Sequence, residues 1–213
     1  RRGLNDWTGG VGEYGEGDRF LGVVVPDVRA VAKKNLFASL FDIEALLGSP
    51  WHEARLCALI ILVQQSRKSV PKEVFEFYLS HTSGINNWDL VDLTAPSIVG
   101  GYLLENPQER ERLYSLADST LLWEQRIAIV STLTLIRNGE FNDTYSLAVK
   151  LMSHKHDLMH KAVGWMLREA GKRDRRPLEL FLDEYATSMP RTMLRYSIEK
   201  FPEPLRRHYL TMK

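Results

Sequence analysis

From about residue 27 onward the chain reads as one amphipathic helical segment after another. The opening is different: Gly9-Gly10-Val11-Gly12-Glu13-Tyr14-Gly15-Glu16-Gly17-Asp18 is too rich in glycine for a helix interior. A short apolar run, Phe20 to Val25, follows and is closed by Pro26. Between Asp27 and Lys34, Val28, Val31 and Ala32 fall on one side at helical spacing, which predicts a first buried face. Further helical segments are separated by brief breaks at Ser49-Pro50, Pro71, Asn106-Pro107, Asn138-Gly139 and Met189-Pro190. Pro50, Pro71 and Pro107 sit near segment starts, where a missing N–H costs nothing. Asn87, Asn142 and Asp157 are the expected N-caps. No alternation of period two is sustained, so strands are not expected.

A repeat overlies this pattern. Basic residues recur at Arg55, Arg126, Lys161 and Arg195, on helices of similar composition and at separations of 71, 35 and 34. One period of about 35 residues therefore passes near position 90, on the helix beginning near Trp88. Shorter helices lie between: Lys72 to Leu79, Gln108 to Ala117, Asp143 to Met152 and Leu178 to Tyr185. Paired helices at a fixed period indicate an all-α fold, an α-solenoid of HEAT-like two-helix repeats. A generic helical bundle with accidental spacing is the alternative. In a solenoid every second helix lines the concave side. Arg55, Trp88, Asp92, Arg126, Trp165 and Arg195 would then face one groove together, within a single domain spanning 1–213.

Composition refines the picture only slightly. With 44% hydrophobic and 26% charged residues over 213 positions, a single globular core is within reach. No apolar run approaches the roughly 20 residues of a membrane span. The one cysteine, Cys57, lies in the apolar run Leu56 to Val63, and a lone thiol favours a cytosolic setting. The start, Arg1-Arg2-Gly3, reads as the beginning of a fragment. Net charge is +1, but from Lys150 to Lys213 there are 14 Lys and Arg against 8 Asp and Glu. That asymmetry points to an anion-seeking face; a solvated basic tail is the plainer reading.

Four stretches bear a family resemblance. Gly15-Glu16-Gly17-Asp18-Arg19-Phe20-Leu21-Gly22-Val23-Val24-Val25-Pro26-Asp27-Val28-Arg29 resembles the N-terminal signature of DNA alkylation repair proteins of the AlkD type. Asn87-Trp88-Asp89-Leu90-Val91-Asp92-Leu93-Thr94-Ala95-Pro96 resembles their central motif. Trp123 to Ala128 and His160 to Glu169 are similar to the next two concave-side helices. The resemblance spans nearly the whole chain and implies that the family's opening helix or two lie ahead of Gly3. It implies a DNA glycosylase for N3- and N7-alkylated purines, acting on duplex DNA in the bacterial cytosol or nucleoid; a solenoid that wraps DNA needs no partner subunit, so a monomer is expected. By the same resemblance Asp92 is the catalytic carboxylate, Trp88 and Trp165 are aromatic walls, and Arg126 holds the DNA backbone. It also implies that the damaged nucleotide stays in or near the stack, whereas most glycosylases flip it out. The residues alone do not choose between those modes.

The residue chemistry is compatible with that activity. Trp88 and Asp92 are four apart on one predicted helix and so share a face. A purine alkylated at N3 or N7 is cationic and leaves as a neutral base, which needs no acid. What remains is an oxocarbenium-like sugar, the problem that glycosidases solve with carboxylates. An ionised Asp92 can stabilise that cation and hold the attacking water, while indole faces favour it through their quadrupoles. Arg126 suits phosphate through its planar fork. Without the resemblance, Asp92 is more readily a helix cap or a bridge to Arg126, and Trp88 and Trp165 more readily core.

The cluster Lys172-Arg173-Asp174-Arg175-Arg176 follows the Trp165 helix. With Arg55, Lys161, Arg168, Arg191 and Arg195 it is the expected grip on DNA phosphates; a solvated loop is the alternative. His154, His156 and His160 lack an acid or cysteine at ligand spacing, so no metal is expected. Gly15 and Gly17 open no strand-turn-helix phosphate loop, so no cofactor is expected either. The competing class is a non-catalytic solenoid that binds DNA or protein.

Overall fold

The computed structural model describes residues 17–212, so the glycine-rich stretch up to Glu16, with the first two residues of the N-terminal signature, lies outside it. Helices follow one another throughout: α1 (Val25–Lys34), α2 (Leu40–Leu47), α3 (His52–Gln65), α4 (Lys72–Ser80), α5 (Trp88–Ala95) and α6 (Gly101–Glu105). After them come α7 (Glu111–Ala117), α8 (Leu122–Arg137), α9 (Asn142–Lys150), α10 (Asp157–Arg173), α11 (Arg175–Tyr185), α12 (Arg191–Ser197) and α13 (Glu203–Thr211). Among the described residues there is no strand, only an isolated bridge between Arg19 and Trp51. The fold is all-α and built of helical repeats. No helix among the described residues is long and apolar enough to cross a membrane.

The breaks read from the sequence fall where the helices end, with small displacements. Pro26 occupies the first turn of α1, Pro71 precedes α4, and Pro107 opens a short turn before α7. Asn87 caps α5, its Oδ1 accepting the N–H of Trp88 at 2.7 Å. Asn142 and Asp157 instead lie one position inside their helices. The cap of α10 is His156, whose ring accepts the N–H of Leu158 at 3.2 Å. Val31, expected on the buried face of α1, is 53% exposed, while Val28 and Ala32 are buried. A face of only two buried positions fits a helix that packs chiefly, among the described residues, against α3.

Two compact units are formed, one up to Tyr102 and one from Leu103. In the first, α3 is the centre and α1, α2 and α5 pack against it. Its residues Leu56 to Leu62 are all buried, so this stretch is apolar on every side. Burying each such aliphatic side chain stabilises the unit by roughly 1.5–3 kcal/mol. In the second unit α10 packs against α8, α9, α11 and α12. The approach of α10 to α12 is close: a Cβ on Gly164 would lie 2.6 Å from the Met193 carbonyl oxygen and from Cβ of Tyr196. Only glycine fits there without moving a backbone, and that close approach sets the position of the adjoining Trp165.

Candidate active site

The loop from Gly17 to Val24 turns at Gly17 and Gly22, whose φ values of 88° and 80° suit glycine. This turn aims consecutive backbone N–H groups at one buried carboxylate. Glu53, on the first turn of α3, accepts from Leu21 at 2.9 Å, Gly22 at 2.8 Å and Val23 at 3.2 Å. Burial opposes its charge, but the backbone donors outweigh that and hold the carboxyl below the ordinary range.

Asp18, at the start of the same loop, is the hub of a second cluster. One of its oxygens accepts from Nδ1 of His52 and from Nδ2 of Asn87, each at 2.8 Å; the other pairs with Arg55. Nε2 of His52 faces Oδ2 of Asp89 at 2.9 Å. Both ring nitrogens therefore meet carboxylate oxygens, and the ring satisfies both only as the imidazolium. Burial disfavours that cation, but the hydrogen bonds and charges of Asp18 and Asp89 outweigh it and raise the pKa to about 9. Burial likewise opposes ionisation of Asp18, yet His52, Asn87 and Arg55 hold its carboxyl below the ordinary range. Two carboxylates and two cations make a buried cluster with no net charge, which is the condition for burying charge at all.

This cluster fixes the head of α5. Asn87 is its cap and Asp89 sits in its first turn, so the loop at Asp18, the head of α3 and the head of α5 form one connected unit. Along α5, Leu90, Val91, Thr94 and Ala95 are buried. Trp88 and Asp92 occupy another face and are half-buried, neither taken into the core. Behind them the Thr94 hydroxyl donates to the Leu90 carbonyl at 2.6 Å and so accepts from Tyr78, 2.8 Å away. Burial raises the Tyr78 pKa, and the nearby Asp92 charge adds to the rise. The tyrosine therefore stays a neutral donor at physiological pH. Pro96 has no N–H for the Asp92 carbonyl four residues earlier, and the helix widens there into a π-type turn, Pro96–Gly100.

Several expected DNA contacts are placed differently. Arg55 is 5% exposed, paired with Asp18 and donating to the Ser49 carbonyl at 2.9 Å. Its guanidinium is engaged inside the protein, and releasing it would strand the buried Asp18 charge. In the second unit Arg126 is 4% exposed and its Nη1 donates to the Leu158 carbonyl at 2.6 Å, bracing α8 against the start of α10. Trp165 is half-buried although its neighbours Val163, Met166 and Leu167 are core. Lys161 pairs with Asp157 at 2.7 Å and Arg168 with Glu169 and Glu199. Lys172 pairs with Glu169 at 2.8 Å, and Arg175 with Glu179 at 2.7 Å while its guanidinium lies over the Phe201 ring. Arg173, Arg176 and Arg195 are exposed; Arg191 donates to the Leu210 carbonyl at 2.8 Å. The three histidines are engaged internally: Nε2 of His154 with Gln125, His156 as the cap, and Nε2 of His160 with the His154 carbonyl.

Sequence reasoning missed Asp18, His52, Glu53, Asn87 and Asp89 as a connected group. One signal was available. His52, Glu53 and Arg55 stand at the head of a helix that is otherwise apolar on all sides, and charges entering a core must have partners.

The model of the family described as DNA alkylation repair enzyme matches residues 9–201. This chain belongs to that family. Its fold is shared with a solved structure described as a predicted DNA alkylation repair enzyme from Enterococcus faecalis, at a TM-score of 0.75 and 18% identity. The match covers 89% of this chain and 92% of the other. Among curated proteins none matches the sequence. Membership of the DNA alkylation repair enzyme family makes DNA the substrate class against which the cluster, Trp88 and Asp92 are to be understood.

Proposed function

We propose that the protein is a DNA glycosylase that hydrolyses the N-glycosidic bond of cationic N3- and N7-alkylated purines in duplex DNA. One observation carries this reading: in a member of the DNA alkylation repair enzyme family, Trp88 and Asp92 lie a turn apart on α5 and both stay at the surface of the core. A carboxylate held there meets what the chemistry needs. As the neutral base departs, positive charge develops on the sugar, and an ionised Asp92 stabilises it while orienting water for attack. The indole of Trp88 favours the same cation. Asp92 does not serve as a general acid, because the alkylated base leaves without a proton.

Trp165 and Arg126 keep in this reading the roles that the resemblance implies, an aromatic wall and a positive charge for the phosphate. Lys161, Arg168, Lys172, Arg173, Arg175, Arg176 and Arg195 supply backbone contacts; the carboxylates paired with Lys161, Arg168, Lys172 and Arg175 are exposed or half-buried, and ion pairs of that kind contribute little that phosphate would have to displace. The test is incubation with methylated duplex DNA followed by chromatography of released bases. Free 3-methyladenine or 7-methylguanine above background supports the glycosylase. Binding without release, at protein concentrations that saturate the DNA, leaves a non-catalytic DNA-binding repeat protein instead.

A further inference from the structure

The first unit is acidic in composition, with 10 Lys and Arg against 12 Asp and Glu over residues 1–102. Half of those cations nevertheless fall in two short stretches: Arg29, Lys33 and Lys34 on α1, and Arg67 and Lys68 just past the end of α3. Arg29, Lys33 and Arg67 rim a cavity of about 370 Å³, floored by Leu36 and Ile60, with the Gln64 amide beside them. No acidic residue lines it. Among the described residues the side chains of these three cations form no ion pair or hydrogen bond, whereas Arg55 in the same unit pairs with Asp18 and donates to the Ser49 carbonyl. Arg29 and Lys33 are also a turn apart on α1, a like-charge spacing that weakens a helix. Stability of the unit does not account for three cations converging on an apolar floor.

We propose that this cavity is a phosphate site, which takes backbone phosphodiesters of duplex DNA at a position distinct from Trp88 and Asp92. Two guanidinium forks and an ammonium suit phosphate oxygens, the Gln64 amide adds a donor, and the Leu36–Ile60 floor suits the apolar face of a deoxyribose. Such contacts position the duplex without reading its sequence. The assignment rests on the proposed reading of the protein as one that acts on duplex DNA.

The experiment compares the wild type with the triple variant Arg29→Gln, Lys33→Gln, Arg67→Gln, using an unmodified duplex across a salt series. All three side chains are exposed, so the fold should be retained; matching thermal midpoints confirm it. The plot of log affinity against log salt should become shallower by about 0.9 for each phosphate no longer engaged. Base release at saturating enzyme should be unchanged. Equal slopes in two folded proteins overturn this proposal and leave the glycosylase reading intact. A slope difference in a wild type that releases no base sinks that reading and leaves this site standing. Inorganic phosphate and phosphatidylglycerol vesicles are tested on the same pair. If the variant loses either of those but keeps the DNA slope, the cavity serves a free anion or a membrane surface, and the DNA assignment is overturned.

Discussion

Nδ1 of His52 lies 2.8 Å from Oδ2 of Asp18, joining the head of α3 to the loop that precedes α1. The other ring nitrogen reaches Asp89 in the first turn of α5, so one imidazolium ties together three segments that are distant in sequence. His52→Ala would leave two carboxylates without their shared cation. Breaking a buried pair in this way costs roughly 3–5 kcal/mol. Chemical denaturation should show that loss as a lower midpoint, whereas His52→Ala at wild-type stability would mean the cluster holds nothing.

The same pair predicts a pH dependence. The folded pKa of His52, about 9, lies above its ordinary 6.5. Its contribution is therefore fully present below pH 6.5 and is lost as pH rises through 9. Asp18 runs the other way: its contribution is present above 3.8 and lost as pH falls through its lower folded value. Unfolding free energy measured at rising alkaline pH should decline in the wild type and decline less in His52→Ala. Parallel curves for the two proteins would contradict this.

Gly164 offers a test of the second unit. Gly164→Ala places a methyl 2.6 Å from the Met193 carbonyl and Tyr196, so α10 and α12 must separate. Overpacking of this kind costs typically about 1–3 kcal/mol. A thermal scan should show a lower midpoint, and base release should fall with it if the shift reaches Trp165. An unchanged midpoint would mean the helices have room that the geometry denies.

Arg173 and Arg176 test the basic cluster on its own. Both are exposed, beside Lys172 and Arg175, which already have carboxylate neighbours. Arg173→Gln with Arg176→Gln should lower the salt slope of duplex binding by about 0.9 for each phosphate released. A slope equal to that of the wild type would make this cluster a solvated loop.

The helical architecture is legible because it is local. Pro71, Asn87 and Asn138-Gly139 mark boundaries by their own backbone chemistry, and the period of basic residues marks the repeats. What escapes a reading along the chain is long-range. Arg55 looks like a surface cation by its place in the repeat, yet its partner Asp18 lies 37 residues away, beyond any periodic pattern. Trp165 sits in an apolar run and reads as core, but its helix packs against four others and leaves this side chain half-buried, which no local pattern shows. His156 does not stand out as a cap because capping by imidazole is uncommon and Asp157, a commoner cap, is its neighbour.

Asp92 carries the proposed chemistry, and one comparison tests its role most directly. Single-turnover base release from a duplex containing a cationic 7-methylguanine is followed for the wild type and Asp92→Asn, with DNA affinity measured alongside. Loss of a transition-state charge contact of this kind typically lowers the rate by about 10²–10³. The expected result is that fall in rate with duplex affinity largely retained. Release by Asp92→Asn at the wild-type rate would contradict it, and the carboxylate would have to be sought elsewhere.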